Sequence, residues 1–384
     1  MQSTTPLELK AHAAVQSLAA HLAHLVDQRK RRGVRYPLTP LLVLIVLAKV
    51  CGANNPQEVA QWIEYRAAWL KQALKLTWKR MPHHSTYRRV LHSAIDLPQL
   101  ELQAGQYLAT LEQEGAELLN MDGKSLRGTI PKGQTHGLRL LAVQQAATNT
   151  VASQTALSRT ENEISAAKRL LKETRLAGKI LTGDAIFAQR ELSRQVVCRG
   201  GDYLWKVKEN QGGLHAQLEA LFQQRGATVT DLDTARHLEK GHGRIEERVL
   251  LASSRLADQV EWPYLSQVFA VRSERCDTRT WRSSLKLHYG ITSLGPMAAD
   301  AERLLEFLRG HWGIENGLHY RRDVTFKEDS CRMKSHRAAE ALAVCNNLAV
   351  GLIRHAGWDN VAAARRYYDA NPGQALQLIV RPPH

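Results

Sequence analysis

The sequence predicts an α/β protein, with a helical amino-terminal domain followed by a larger domain containing a sheet, and three observations carry that expectation. From Pro6 to about Leu118 the chain is rich in Ala and Leu and is broken at Gly33, Pro37, Pro56, Pro82 and Pro98, as in a series of short helices. Two short apolar runs, Glu117 to Met121 (ELLNM) and Lys179 to Gly183 (KILTG), have the length and composition of buried strands. Leu304, Leu308, His311, Glu315 and Leu318 recur at spacings of three and four and so share one side of a helix. With 384 residues, 44% of them hydrophobic, the chain can bury the cores of two or three domains.

Taken in order, residues 1–115 form the expected helical domain. Its segments RKRRGVR and WKRMPHHSTYRR each bring several cations together, with Ser85 or Thr86 placed to cap a helix carrying Arg88 and Arg89. They suit a module that grips DNA phosphates, and they equally suit solvated helix faces. Leu41 to Ala48, preceded by Arg29, Lys30, Arg31 and Arg32, is too short to span a membrane, which takes about 20 apolar residues, and reads as a buried helix. After Asp122, Leu138 to Ala147 and Thr150 to Leu157 read as strands turning at Thr148 and Asn149. A helix follows from Glu161 to about Leu176, with acids in its first turn. Crossover rules then set the strands of Asp122 and Asp184 side by side and parallel. Arg190 to Cys198 is expected helical and Asp202 to Val207 a strand. Beyond a helix near Leu214 to Gln223 come strand-like runs at Glu246 to Ala252, Val268 to Arg272 and Lys286 to Thr292, with Gly241 and Gly243 as turn residues. Past Arg332 a helix from about Ala338 to Ile353 packs through Leu342, Cys345, Leu348 and Leu352, and a shorter one surrounds Ala362 to Tyr368.

Charge narrows the function. Fifty-two Lys and Arg against 37 Asp and Glu leave a formal charge of +15, enough to drive association with a polyanion, and nucleic acid is the leading partner. A basic enzyme with a solvated surface is the plainer alternative. The five cysteines form no C-x-x-C pair and suggest neither a zinc site nor a disulfide framework, which fits a reducing cytoplasm.

The chemistry is concentrated in three acids. Asp122 and Asp184 each stand where an apolar run stops, and an acid at the carboxyl end of a strand in an open α/β sheet points into the crevice where such sheets bind ligands. Glu315 on the apolar side of a helix needs a basic neighbour, a proton or a cation. An all-oxygen set of this kind suits a hard divalent ion such as Mg²⁺, and two such ions clamp the attacking and leaving oxygens of an in-line phosphoryl displacement. Lys206, Lys208 and Gln211, at the end of the Asp202 strand, are candidates for holding a DNA backbone beside these acids. A zinc reading of His311, Glu315 and His319 fits poorly, because histidines eight residues apart on a helix lie about 80° out of line and some 12 Å apart along the axis.

At these residues the chain resembles a known family. MDGKSLRG, TENEI, GDAIFAQ, GGDYLWKVKENQ, HGRIEER and HWGIENGLHYRRDVTFKED are similar, block by block and in the same order, to the DDE transposases of bacterial insertion sequences of the ISAs type, also called H repeat-associated. The resemblance runs from about Asp27 to Asn346 and Asn347. It implies a ribonuclease-H-like catalytic domain over residues 116–384, with a β-rich insertion at about 212–297 and with Asp122, Asp184 and Glu315 as catalytic, metal-binding triad for Mg²⁺ or Mn²⁺. It also implies double-stranded DNA as partner, cut at element ends to free a 3′ hydroxyl that then attacks target DNA, by a homodimer in the bacterial cytoplasm at the nucleoid. Lys124, Arg127, Arg244, Lys327, Arg332 and Lys334 join Lys206, Lys208 and Gln211 as expected DNA contacts, and His242, Trp262 and Trp281 are noted in the insertion. Asp323, Glu328 and Asp329 are reserve carboxylates. One departure is Arg322, which precedes Asp323 where relatives are expected to carry an apolar residue. The alternative function is a catalytically inactive, transposase-derived DNA-binding regulator.

Overall fold

The computed structural model describes residues 17–32, 34–111, 117–224, 232–241, 243–311 and 313–381, with the side chains of Gln224, Glu315 and Asn316 outside the description. The chain divides into two compact units, one of residues 1–115, 123–159 and 315–384 and the other of residues 116–122 and 160–314.

The first unit is mainly helical. Its opening helices are α1 (Leu18–Ala23), α2 (Leu38–Val50), α3 (Pro56–Tyr65), α4 (Ala67–Ala73), α5 (His84–Arg89) and α6 (Leu97–Thr110). Local chemistry fixes where they start. The Asn55 side chain accepts from the backbone N–H groups of Gln57 and Glu58 with Pro56 in the first turn, and Asp96 accepts from that of Gln99. Helix α2 is apolar on every side and buried almost throughout, as a central core helix must be. The helices α11 (His336–His355), α12 (Val361–Ala370) and α13 (Pro372–Val380) surround it, so Leu342, Cys345, Leu348 and Leu352 share one core with Leu41, Leu44, Leu100 and Leu108. Residues 1–115 therefore do not enclose a core of their own. The unit also holds the antiparallel hairpin of β2 (Leu138–Gln145) and β3 (Thr150–Ala156), which turns at Asn149 in the left-handed conformation.

In the same unit a buried ion pair fastens the segment after residue 320. Arg322 is fully buried, and its Nε donates to Glu328 Oε2 at 2.7 Å while Nη1 donates to Gln154 Oε1 at 2.9 Å. Asn346 on α11 donates to the other Glu328 oxygen, and Asn347 donates to Gln154. Burial alone would raise the Glu328 pKa, but the Arg322 charge and hydrogen bond, with Lys124 and Asn346, hold it below the usual carboxylate range. This is how the chain accommodates Arg322 beside Asp323: a neighbouring carboxylate neutralises it.

The second unit is a sheet with helices, in strand order β1-β4-β5-β9-β8-β7-β6. Strand β1 (Leu118–Leu126) contributes its residues up to Asp122, β4 (Ile180–Gly183) and β5 (Asp202–Val207) join in parallel, and β9 (Ser283–Thr292), β8 (Gln267–Asp277), β7 (Arg244–Ser253) and β6 (Asp233–Gly241) continue antiparallel. Its helices are α7 (Glu163–Glu173), α8 (Arg190–Cys198), α9 (Gly212–Gln224) and α10 (Ala301–His311). Leu304, Leu305 and Leu308 of α10 pack on Ile180, Leu204, Leu250 and Phe269 of the sheet. Strand β6, DTARHLEKG, has no apolar alternation and was not expected; its pairing with β7 over the whole of its length supplies what its side chains do not. Among the described residues no helix is long and apolar enough to cross a membrane.

Two stability predictions follow from these contacts. A Cβ at Gly290 on β9 would lie 2.0 Å from Phe269 Cζ and 2.6 Å from the Trp205 carbonyl oxygen, so Gly290→Val should cost about 1–3 kcal/mol and lower the melting temperature by several degrees; an unchanged melting curve would refute the close contact. Glu328→Gln should cost about 3–5 kcal/mol at neutral pH by leaving Arg322 buried without its counter-charge. Because Glu328 titrates below its unfolded value, its contribution is complete above that value and is lost as pH falls through the folded pKa. Denaturant midpoints of wild type and variant should therefore converge in acid and separate at neutrality.

Candidate active site

The site begins with strand register. In the parallel pair β1–β4, the register runs from Leu118 opposite Ile180 to Met121 opposite Gly183 on strands about 4.8 Å apart, and Asp122 and Asp184 are the residues that follow the last paired row. Gly183 also faces Trp205 of β5, and Lys206 follows it on that strand. Both aspartates are half-buried. Strand β1 does not stop at Asp122, as expected from the sequence, but runs on to Leu126. Gly183 is required by close packing, since a Cβ there would meet Phe187 Cδ2 at 2.8 Å and Trp205 Cζ3 at 3.1 Å as the chain turns sharply after Asp184.

One row below lies a buried polar platform. Asn120 and Thr182 face each other, and Thr182 Oγ1 donates to Asn120 Oδ1 at 2.8 Å. The same hydroxyl lies 2.9 Å from His311 Nδ1, and Asn120 Nδ2 donates to the Gly310 carbonyl at 2.9 Å. With the Thr182 proton given to Asn120, the His311 Nδ1 is the donor in the remaining bond. Burial, and then the charges of Lys206 and Lys208 against that of Asp184, push the His311 pKa down to about 4, so the ring is neutral at pH 7. These bonds fasten α10 to strands β1 and β4 at the residues two places before the aspartates. Helical spacing in the sequence puts His311 on one face with Glu315 but assigns Asn120 and Thr182 no role. Their signal was available: each is the polar residue two places before an aspartate in an otherwise apolar run.

The remaining expected residues fall as follows. Lys206 is half-buried and Lys208 exposed at the end of β5. Gln211 Nε2 donates to the Ala188 carbonyl and Asn210 Nδ2 to the Ala185 carbonyl, both at 2.9 Å, which pins the turn after Asp184. Arg244 opens β7, 3.9 Å from Glu246. Trp262 donates to Ser193 Oγ under the Arg190 guanidinium, whereas Trp281 is 72% exposed at a strand turn. His242 lies outside the described residues.

In the other unit, Lys124 is buried and forms ion pairs with Asp323 at 2.5 Å and Asp329 at 3.9 Å. Its charge is used internally. The Arg127 N–H donates to Asp329 Oδ1, and Lys327, Arg332 and Lys334 are exposed. All three reserve carboxylates, Asp323, Glu328 and Asp329, are thus paired with cations. The backbone around Glu315 is helical as expected, but widened: beyond α10 the described residues form π-helical turns at Ile314–His319 and Arg321–Thr325 rather than regular α-helix. Wide turns of this kind recur at functional sites, and periodicity alone does not distinguish them from α-helix. The Glu315 backbone lies in the first of them, and its side chain lies outside the description. Among the described residues no three His, Cys, Asp or Glu side chains form a metal-holding group.

Comparison with known proteins identifies the family. The Transposase DDE domain matches residues 114–352, and the DDE_Tnp_1-associated family matches residues 19–108. YhhI of Escherichia coli K12, an "H repeat-associated putative transposase", is 26% identical over 347 residues, spanning 88% of this chain and 90% of its own length. YncI of Escherichia coli O157:H7, a "putative transposase", is 27% identical over 347 residues, spanning 89% of this chain and 88% of its own. Among solved structures, the cryo-EM synaptic complex of piggyBac transposase with hairpin DNA aligns at a TM-score of 0.45 and 10% identity, covering 96% of this chain and 77% of that one. The mixed α/β fold with a large sheet agrees with the match of the Transposase DDE domain over more than half of the chain, and the protein belongs to that family of DDE transposases.

Proposed function

We propose that this chain is an active transposase that cuts double-stranded DNA at the ends of its insertion element and joins the freed 3′ hydroxyl to target DNA. The observation that supports the reading is the parallel β1–β4 register, which ends at Met121 opposite Gly183, the residues immediately before Asp122 and Asp184. Two half-buried carboxylates brought close together repel each other unless a cation lies between them, and an all-oxygen donor set suits Mg²⁺ or Mn²⁺. Asp122, Asp184 and Glu315 would hold it. Bound there, a divalent cation neutralises charge building on the attacking and leaving oxygens of the phosphodiester.

Glu315 is supported as the third acid by its place in the chain, four residues after the anchored His311, and by the pairing of the nearby carboxylates with cations. Lys206 and Lys208 would steady the DNA phosphate beside the aspartates, while Asn210 and Gln211 fix the turn that presents Asp184. Strands β1 to β5 with α7 and α8 are read as a ribonuclease-H-like core, and β6 to β9 as a β-rich insertion before the third acid. Two element ends have to be joined, so the acting species is proposed to be a homodimer on DNA, in the bacterial cytoplasm at the nucleoid.

Asp122→Asn, Asp184→Asn and Glu315→Gln should each lower divalent-ion-dependent cleavage of terminal-repeat DNA by at least about a hundredfold while leaving DNA affinity near wild type. Normal cleavage by one variant removes that residue from the site. If the wild-type chain binds the repeats without cutting them in Mg²⁺ or Mn²⁺, the regulator reading replaces this one. Light scattering of the protein–DNA complex should give two protein chains, and a single chain joining paired ends would contradict the dimer.

A further inference from the structure

The first compact unit carries a cleft of about 700 Å³ remote in sequence from the three acids. It is bounded by the start of α3, by α5 and the turn after it, and by the segment from Ser330 into the start of α11. Arg88 and Arg89 come from the α5 side and Arg332 and Lys334 from the opposite segment; all four are exposed, and none has an ion pair among the described residues. Among the described residues no Asp or Glu lines the cleft. Elsewhere in this unit the cations that the fold needs are paired or bonded: Lys124 with Asp323, Arg322 with Glu328, and Arg365 with backbone carbonyls of Lys49 and Ala53.

Four cations facing one concavity without counter-charge oppose one another, and low-dielectric walls focus their field outward. That arrangement costs free energy in the isolated protein and is compensated when an anion enters. The walls are partly fixed beforehand. His92 Nδ1 lies 2.6 Å from Ser335 Oγ, the side chain that caps α11, and Arg89 Nε donates to the Ser85 carbonyl. Cations spread over two walls match a ligand with several separated charges better than a lone phosphate.

We propose that this cleft is a docking groove for the phosphodiester backbone of DNA, separate from the three acids and not part of the cutting machinery. The proposal rests on the DNA-processing reading above and adds to it a defined groove on the helical unit, in which Arg88 and Arg89 act together with Arg332 and Lys334 from the opposite wall. Phosphate contacts of this kind set register on the duplex without reading sequence.

The test uses the full chain in chelator, so that nothing is cut, and follows anisotropy of a labelled terminal-repeat duplex across a salt series. Arg88→Ala/Arg89→Ala and Arg332→Ala/Lys334→Ala should each weaken binding by at least about tenfold and reduce the log–log salt slope by about two, one per lost phosphate contact. Arg88→Lys/Arg89→Lys should restore most of both. Lys172→Ala/Arg175→Ala, an equal loss of charge at exposed positions around the end of α7, should change neither. Because the four substituted side chains are exposed, thermal melting should stay unchanged. Wild-type affinity and slope in both groove variants overturn the groove, and so does an equal loss in the Lys172/Arg175 control. Competition by inorganic phosphate as effective as by DNA would overturn it in favour of a small-anion site. These outcomes are separate from the fate of the transposase reading, which is judged by cleavage in the aspartate variants.

Discussion

The chemistry of this chain depends on the parallel pairing of β1 with β4. Side chains alternate across a strand, so a slip of one residue would turn the paired side chains of β1 to the other face and offset Asp122 from Asp184. The register is held from both sides. Parallel hydrogen bonds run from Leu118–Ile180 to Met121–Gly183, and the Asn120–Thr182 contact adds a side-chain bond two places before the acids. That second bond also receives the end of α10 through His311 and Gly310, so the backbone pairing that leads into the aspartates aligns the start of the segment leading to Glu315.

Much of this was legible in residues alone. ELLNM and KILTG announce buried strands by composition, crossover rules make them neighbours, and the all-apolar run at Leu41 to Ala48 is the central helix its composition requires. The α8 and β5 boundaries also follow the pattern closely, because amphipathic period and turn residues agree there. Other features left no local trace. A π-helical turn at Ile314–His319 keeps nearly the same apolar spacing as an α-helix, and β6 is held by its partner rather than by its own alternation. The sharing of one core by α2, α6 and α11 depends on contacts hundreds of residues apart.

Charge shows the same limit. A net of +15 points to a polyanion but does not say which cations remain available to it. Lys124 lies two residues after Asp122, in the place where a DNA contact would be sought, yet it is buried and paired with Asp323. Arg322, at a position expected to be apolar, is neutralised by Glu328 and held by Gln154, so its charge is not left buried alone. Sorting cations by their partners, rather than by their number, separates those that maintain the fold from those that face outward.

The division of the chain into interleaved segments has a further consequence. The polypeptide passes between the compact units at four points, 115/116, 122/123, 159/160 and 314/315, and α11 to α13 close the core around α2. A product ending before His336 would therefore keep every strand of the sheet and still fail, because its first hundred residues would be left with an open apolar flank. Loss of the tail would be felt at the head, and shortened copies of such a gene would encode insoluble protein rather than a free-standing helical module.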